Sequence, residues 1–202
     1  MQVRGCASPD DAAPDDNASE HVWVTHLDAK GAKKSEWKLD DDAEPIHGIT
    51  FTGDYVWLDY DHFLRELDAT TGDTIKTLTT KEDIVDLAYD FNQGNLLLST
   101  AQNQVVGMNP IDGREIWRTS VAATGAGTQR GIADDNGRLW LGEARDNTFY
   151  YLDSDGTVDA TATTTAFTSK EDALDERGIA WDGSQLIVAT RTKIVWLQPQ
   201  PQ

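Results

Sequence analysis

This chain predicts an all-β fold, a single small β-propeller. Three observations carry that prediction: a phrase that recurs, turns that recur with it, and no helical periodicity of useful length. The phrase starts at Gly48, Val85, Gly131 and Gly178. Each unit is an apolar pair, a turn carrying Asp, Asn or Gly, a second apolar run, a polar gap, and a third run ending near an Asp-x-x-Gly type turn. The spacing of about 40 to 47 residues is the length of one blade of antiparallel strands. A blade cannot bury both its faces alone, so such repeats stack face to face around an axis.

The elements follow in order. Inner strands are expected at 46–51, 84–89, 130–133 and 177–181, and second strands at 55–59, 95–99, 138–142 and 185–189. Between them lie Thr52-Gly53-Asp54, Asn92-Gln93-Gly94, Asp135-Asn136-Gly137 and Asp182-Gly183-Ser184. Gly, Asn and Asp supply the positive φ that tight hairpins need. Third strands are expected at 22–27, 63–67, 104–108, 148–152 and 194–197. Fourth, outer strands follow at 35–39, 74–78, 115–119 and 158–163. The outer strands are the most polar, which suits an edge kept from pairing with other chains. The chain both starts and ends on a third-type strand. Five blades with a thin seam are favoured over four, because there are five third-type strands, and closure is expected through pairing of the N- and C-terminal strands. Residues 169–176 could add one helical turn, read here as a loop ornament.

Residues 1–20 read as a disordered acidic leader or tether, 21–198 as the propeller and 199–202 as a tail. Val3-Arg4-Gly5-Cys6 resembles the end of a lipoprotein signal, although Arg4 departs from that pattern and the hydrophobic segment is missing. A lipid anchor at Cys6 and an inert thiol in a flexible tail are both open. No secretory signal peptide and no apolar run of about 18 residues stands in the chain, so no membrane span is expected. One cysteine excludes an internal disulfide framework.

The formal charge is −18, from 35 acidic and 17 basic residues. Such a surface repels phosphate backbones, which argues against nucleic acid. It resembles proteins of salt-loving organisms, where bulk salt screens self-repulsion. No calcium loop, phosphate loop or nucleophile elbow is present, and the four histidines lack metal-ligand spacing, so no metal and no cofactor is expected.

Two stretches carry a family resemblance. Val106-Gly107-Met108-Asn109-Pro110-Ile111-Asp112-Gly113-Arg114-Glu115-Ile116-Trp117 resembles the repeat of pyrroloquinoline-quinone-like (PQQ-like) propellers, with Ser35-Glu36-Trp37 as a weaker echo. The units from Gly131 and Gly178 are similar to NHL, YVTN and gluconolactonase-like propellers, and the unit from Gly48 is similar to the glutamine cyclotransferase propellers. The resemblance spans 21–198 and implies the fold. The cyclotransferase phrase Phe-Thr-Gln/Glu-Gly-Leu has only Ile46-His47-Gly48-Ile49 and Thr128-Gln129-Arg130-Gly131-Ile132 as nearest counterparts. A quinone would need a larger ring.

Propeller ligands commonly sit at the channel mouth, where inner strands begin. The residues expected there are Glu44, His47, Asp83, Asp86, Gln129, Arg130, Glu176 and Arg177. They would form a polar pocket in which Arg130 and Arg177 clamp an anion, or a set of mutual ion pairs that hold the strand ends together. Trp57 and Trp140 fall at equivalent second-strand places and are expected in the core. Trp37 and Trp117 fit outer-strand docking, and Trp23 and Trp196 are expected near the seam. The function expected is non-catalytic binding, with a protein or glycan partner, in an extracytoplasmic or surface-associated setting at high salt. Two alternatives are a lactonase- or cyclotransferase-like enzyme with its site at the channel mouth, and a structural subunit of a larger assembly.

Overall fold

The computed structural model describes residues 22–28, 30–39, 46–60, 62–121, 129–143, 148–153, 157–163, 178–189 and 194–198, the side chains of 129, 130, 143 and 163 excepted. Seventeen strands make up all of the regular structure there. They are β1 (Trp23–Leu27), β2 (Lys33–Lys38), β3 (Gly48–Phe51), β4 (Tyr55–Asp59), β5 (Phe63–Asp68), β6 (Thr74–Thr79), β7 (Ile84–Asp90), β8 (Asn95–Thr100) and β9 (Gln104–Met108). Then come β10 (Glu115–Ser120), β11 (Gln129–Asp135), β12 (Arg138–Glu143), β13 (Thr148–Leu152), β14 (Val158–Thr163), β15 (Ile179–Trp181), β16 (Leu186–Ala189) and β17 (Ile194–Leu197).

They form five antiparallel meanders: β1-β2, β3 to β6, β7 to β10, β11 to β14, and β15 to β17. Four of the sheets begin with an inner strand. Among the described residues the first holds a third-position and a fourth-position strand, and the last an inner, a second and a third. The architecture is a small all-β propeller, as the repeats predict. The leader at 1–20, Cys6 and the tail at 199–202 lie outside the described residues.

The turns form where the sequence places acceptors. Asp68 Oδ1 accepts the amides of Thr70 (2.7 Å) and Thr71 (3.0 Å), and Asn109 Oδ1 accepts that of Ile111 (2.8 Å). In the inner hairpins Asp90 Oδ1 accepts from Asn92 and Gln93, and Asp182 Oδ1 from Ser184 and Gln185. A short acceptor side chain closing its own turn is the physical reason Asp and Asn begin these segments. The amides hold the Asp68 and Asp182 carboxyls below the usual carboxylate range.

Neighbouring sheets meet through four apolar clusters. Val24, Trp37 and Leu39 of the β1-β2 unit pack on Val56, Leu58 and Leu67. Trp57 and Leu64 pack on Leu87, Leu96 and Leu98. Ala88, Leu97 and Val105 pack on Ile132, Leu139 and Leu141. Trp140 and Phe149 pack on Ile179, Leu186 and Val188. Trp57 and Trp140 are thus core residues at matching positions, paired with Thr50 and Ala133 respectively.

Outer strands lock onto the next turn. The Trp37 ring lies so close to Gly72 that a Cβ there would sit 2.7 Å from its Cγ, and Gly72 also has φ +80°. The Trp37 Nε1–H donates to the Thr70 carbonyl at 3.1 Å. One sheet on, Leu78 packs on Gly113 at ordinary van der Waals distance. Trp117 instead lies against Gly107 of its own sheet, in space a side chain would fill.

The seam differs from expectation. Among the described residues β1 pairs with β2 alone and β17 with β16 alone, so the expected pairing of N- and C-terminal strands is not seen between these two strands. Both are third-position strands, and the sheets that carry them meet across a cavity rather than edge to edge. Trp23 and Trp196, on the two strands that carry this seam, are 38% and 52% exposed.

Trp37→Ala is expected to cost about 3 to 5 kcal/mol, as for a buried indole that leaves a cavity. Trp196→Ala is expected to cost less than about 1 kcal/mol. Urea denaturation of both variants checks the difference.

Candidate functional site

Pairing registers place one residue of each inner strand at the same level of the axis: Gly48 opposite Asp59, Asp86 opposite Ser99, and Gly131 opposite Gly142. Gly178 stands at the fourth place, its carbonyl accepting the Ala189 amide. Asp86 therefore occupies a position that is glycine in the other three sheets. Its side chain lies in the space left at Gly48. Oδ1 accepts the Leu87 amide at 2.9 Å, and Oδ2 crosses to the next inner strand to accept the Ile132 amide at 2.9 Å. A Cβ on Gly48 would come within 2.5 Å of Asp86 Oδ1 and 2.9 Å of the Leu87 nitrogen. The missing side chain at Gly48 is what lets the carboxylate lie there.

Burial pushes the Asp86 carboxyl well above the ordinary range, against the two amides that favour its charged form; Asp59, also buried, adds repulsion of like charge. Near the end of β11, burial pushes Asp134 up to about 6 although the Gly137 amide bonds to it, and Asp90 and Asp135 contribute like-charge repulsion.

Beside this belt a cavity of about 450 Å³ opens at the seam. One wall is the last sheet, through Ala180, Ile187, Ala189 and Ile194. The opposite wall is Val22, Val24 and β3, from His47 to Phe51. Asp86 and Phe91 complete the lining. The size falls in the range of small-molecule pockets, which are mostly apolar with a few placed polar groups. It is the one junction between successive sheets, among the described residues, at which no cluster of buried apolar side chains forms.

The predicted site residues separate. His47, exposed, and Asp86, buried, share the cavity. Asp83, only three residues from Asp86, does not line it; its carboxylate faces His62 Nδ1 at 3.1 Å, both side chains being more than half exposed. Asp83 stands just before β7 at the strand entry, whereas Asp86 lies within the strand. Gln129 and Arg130 lie on β11, their side chains outside the described residues, as are Glu44, Glu176 and Arg177. The apolar lining escaped the sequence reading because Ile187 and Ile194 look like ordinary strand residues.

A second cavity of about 480 Å³ lies between β6 and β10. The Arg118 guanidinium on its rim is committed to Glu82 (2.7 Å) and Glu115 (2.8 Å), which leaves this groove an ion-pair lattice rather than a charged receptor. Among the described residues no group of three metal-ligating side chains forms, and no helix is long and apolar enough to cross a membrane.

No protein-family model and no curated protein sequence matches the chain. Solved structures do. The glutaminyl cyclase of Myxococcus xanthus superposes with a TM-score of 0.70 at 12% identity, over 89% of this chain and 84% of that one. The Pan2 WD40 domain of Neurospora crassa gives 0.52 at 12% identity, over 89% and 60%. The Cps50 (Swd1) β-propeller domain of Myceliophteria thermophila gives 0.54 at 11%, over 84% and 56%. The chain is a β-propeller. At these identities the likeness is one of fold, and it spans an enzyme and WD40-type domains alike.

Asp86→Ala strips two buried amides of their acceptor and is expected to destabilise the protein by roughly 2 to 4 kcal/mol in urea melts. For Asp134 the folded form holds its proton to about pH 6. Stability from this group is complete below its ordinary value of 3.8 and falls as pH rises to about 6. Thermal melts between pH 4 and 7 should show that decline, and Asp134→Asn should flatten it.

Proposed function

We propose that this protein is a non-catalytic binding propeller whose ligand occupies the seam cavity. The observation that carries the reading is the contrast between this junction and the other four. Apolar side chains that close the rest of the ring against one another here face an opening of about 450 Å³. The polar groups on the lining are few, with His47 at its exposed edge and Asp86 at depth. The acid is already engaged by two backbone amides, so it supports the wall rather than reaching for a ligand. A protein or glycan partner in an extracytoplasmic or surface-associated setting of high salt fits the charge of −18, which bulk salt would screen.

The competing reading is an enzyme of cyclotransferase type. It draws on the overlap with a glutaminyl cyclase and on a buried carboxyl of raised pKa beside a cavity. Against it stands the use of both Asp86 oxygens within the fold.

The uncharged dye Nile red tests the binding reading. Saturable, blue-shifted emission is expected with the native chain. Ala180→Trp, which fills the cavity from an exposed position, should weaken it at least about tenfold, as expected for a blocked apolar pocket. Ile111→Ser, at a distant exposed site, should leave it unchanged. Equal affinity in the Ala180→Trp variant would sink the assignment.

A further inference from the structure

We propose that the seam cavity holds an uncharged, largely apolar molecule by its carbonyl oxygen, which accepts the Ile179 amide in the space left open at Gly178. The inference rests on the seam cavity being the binding site, and names the chemistry of its occupant.

Each inner strand pairs on one edge only, so every second amide faces the axis. At the end of β3 the Thr52 amide bonds to the Tyr55 carbonyl, and alternation from there turns the Ile49 amide away from β4. At the end of β15 the Asp182 amide bonds to the Gln185 carbonyl, and the same alternation turns the Ile179 amide away from β16. Four amides thus follow the belt positions around the axis: Ile49, Leu87, Ile132 and Ile179. Asp86 takes two of them, Leu87 and Ile132, at 2.9 Å each. For the other two no acceptor stands among the described residues. Ile49 and Ile179 are on the two inner strands that flank the cavity, and both line it. Ile179 is buried, and a buried donor left unpaired costs free energy.

The room for an acceptor lies at Gly178. In β7 the belt residue caps the amide that follows it, through Asp86 Oδ1 on Leu87. Gly178 precedes Ile179 in the same way and brings no oxygen of its own. At Gly48 a Cβ would strike Asp86, but at Gly178 it would meet nothing within 4 Å. The open place beside Ile179 corresponds to the one that a carboxylate oxygen fills in β7.

The lining decides the charge of the occupant. No lysine or arginine stands among its residues, and His47, at the exposed edge, is the one that can turn positive. Taking a carboxylate out of water with no cation beside it costs far more than taking a carbonyl. A neutral carbonyl fits that environment. The apolar body of the molecule then meets Ile187, Ala189 and Ile194 on one wall and Val22 and Val24 on the other.

The probe is 2-acetylnaphthalene. Its controls are 2-isopropylnaphthalene, which has the same shape without an acceptor, and 2-naphthoate, which carries a charge. Each is titrated against the Nile red complex of the full chain. The ketone should bind at least about fivefold more tightly than either control, the worth of about one net hydrogen bond. Heteronuclear NMR of the chain labelled at its isoleucine amides reads the donor directly. The ketone should move the Ile179 amide proton downfield and the hydrocarbon should not. Ile132, already bonded to Asp86, is the internal control and should stay in place. Gly178→Asp supplies the acceptor from within the chain. In that variant the Ile179 amide should lie downfield with no ligand present, and the ketone should lose its advantage. Equal binding of ketone and hydrocarbon to the native chain would overturn the proposal and leave the cavity as a purely apolar site. So would an unmoved Ile179 amide with ketone bound. Failure of Nile red and of all three naphthalenes to bind would remove the seam site itself.

Discussion

Face-to-face burial of apolar sheets is the constraint on which the rest depends. The middle strands of each blade carry apolar residues on both faces, as β8 does with Leu96, Leu97 and Leu98 all buried. A sheet of that kind is stable only between two neighbours. Around an axis that requirement is met by adding sheets until the last covers the first. Here four junctions are filled by Trp, Leu, Val and Ile side chains, and the fifth, between the last sheet and the β1-β2 unit with β3, is a cavity.

The polar parts of the molecule follow from where aspartate stands relative to that packing. At turns the carboxylate accepts local amides in water and its charge is favoured. On the axis the same group, at Asp86, serves as an acceptor between two inner strands in a buried place, and its charged form is disfavoured. Bridging β7 to β11 there satisfies an amide that faces the channel and has no ladder partner on that side. The cost of burying the acid is offset by two hydrogen bonds, and glycine at Gly48 provides the room. The abundance of aspartate is therefore partly architectural, and the remainder forms the acidic surface.

Fold likeness does not choose between binding and catalysis for this chain, because similar rings serve an enzyme and WD40-type domains. The seam cavity presents aliphatic and aromatic surface, and the buried acid nearest to it already has its hydrogen-bond partners.

The amino-acid sequence alone determined the strands, their four positional classes and the turns between them, because period-two alternation and Asp, Asn and Gly at turns act over a few residues. It also marked Trp57 and Trp140 as core, since equivalent places in a repeat meet equivalent neighbours. The candidate site was legible only in part. Asp83 and Asp86 look alike in the chain, yet Asp83 stands at the strand entry beside His62 in solvent and Asp86 within the strand on the axis. Trp23 and Trp196 look as apolar as the core tryptophans, yet both are exposed. Which junction stays open, and which side chains therefore line a cavity instead of a core, was decided by tertiary structure. Ring closure depends on the summed geometry of all the sheets, and no local window of residues contains that sum.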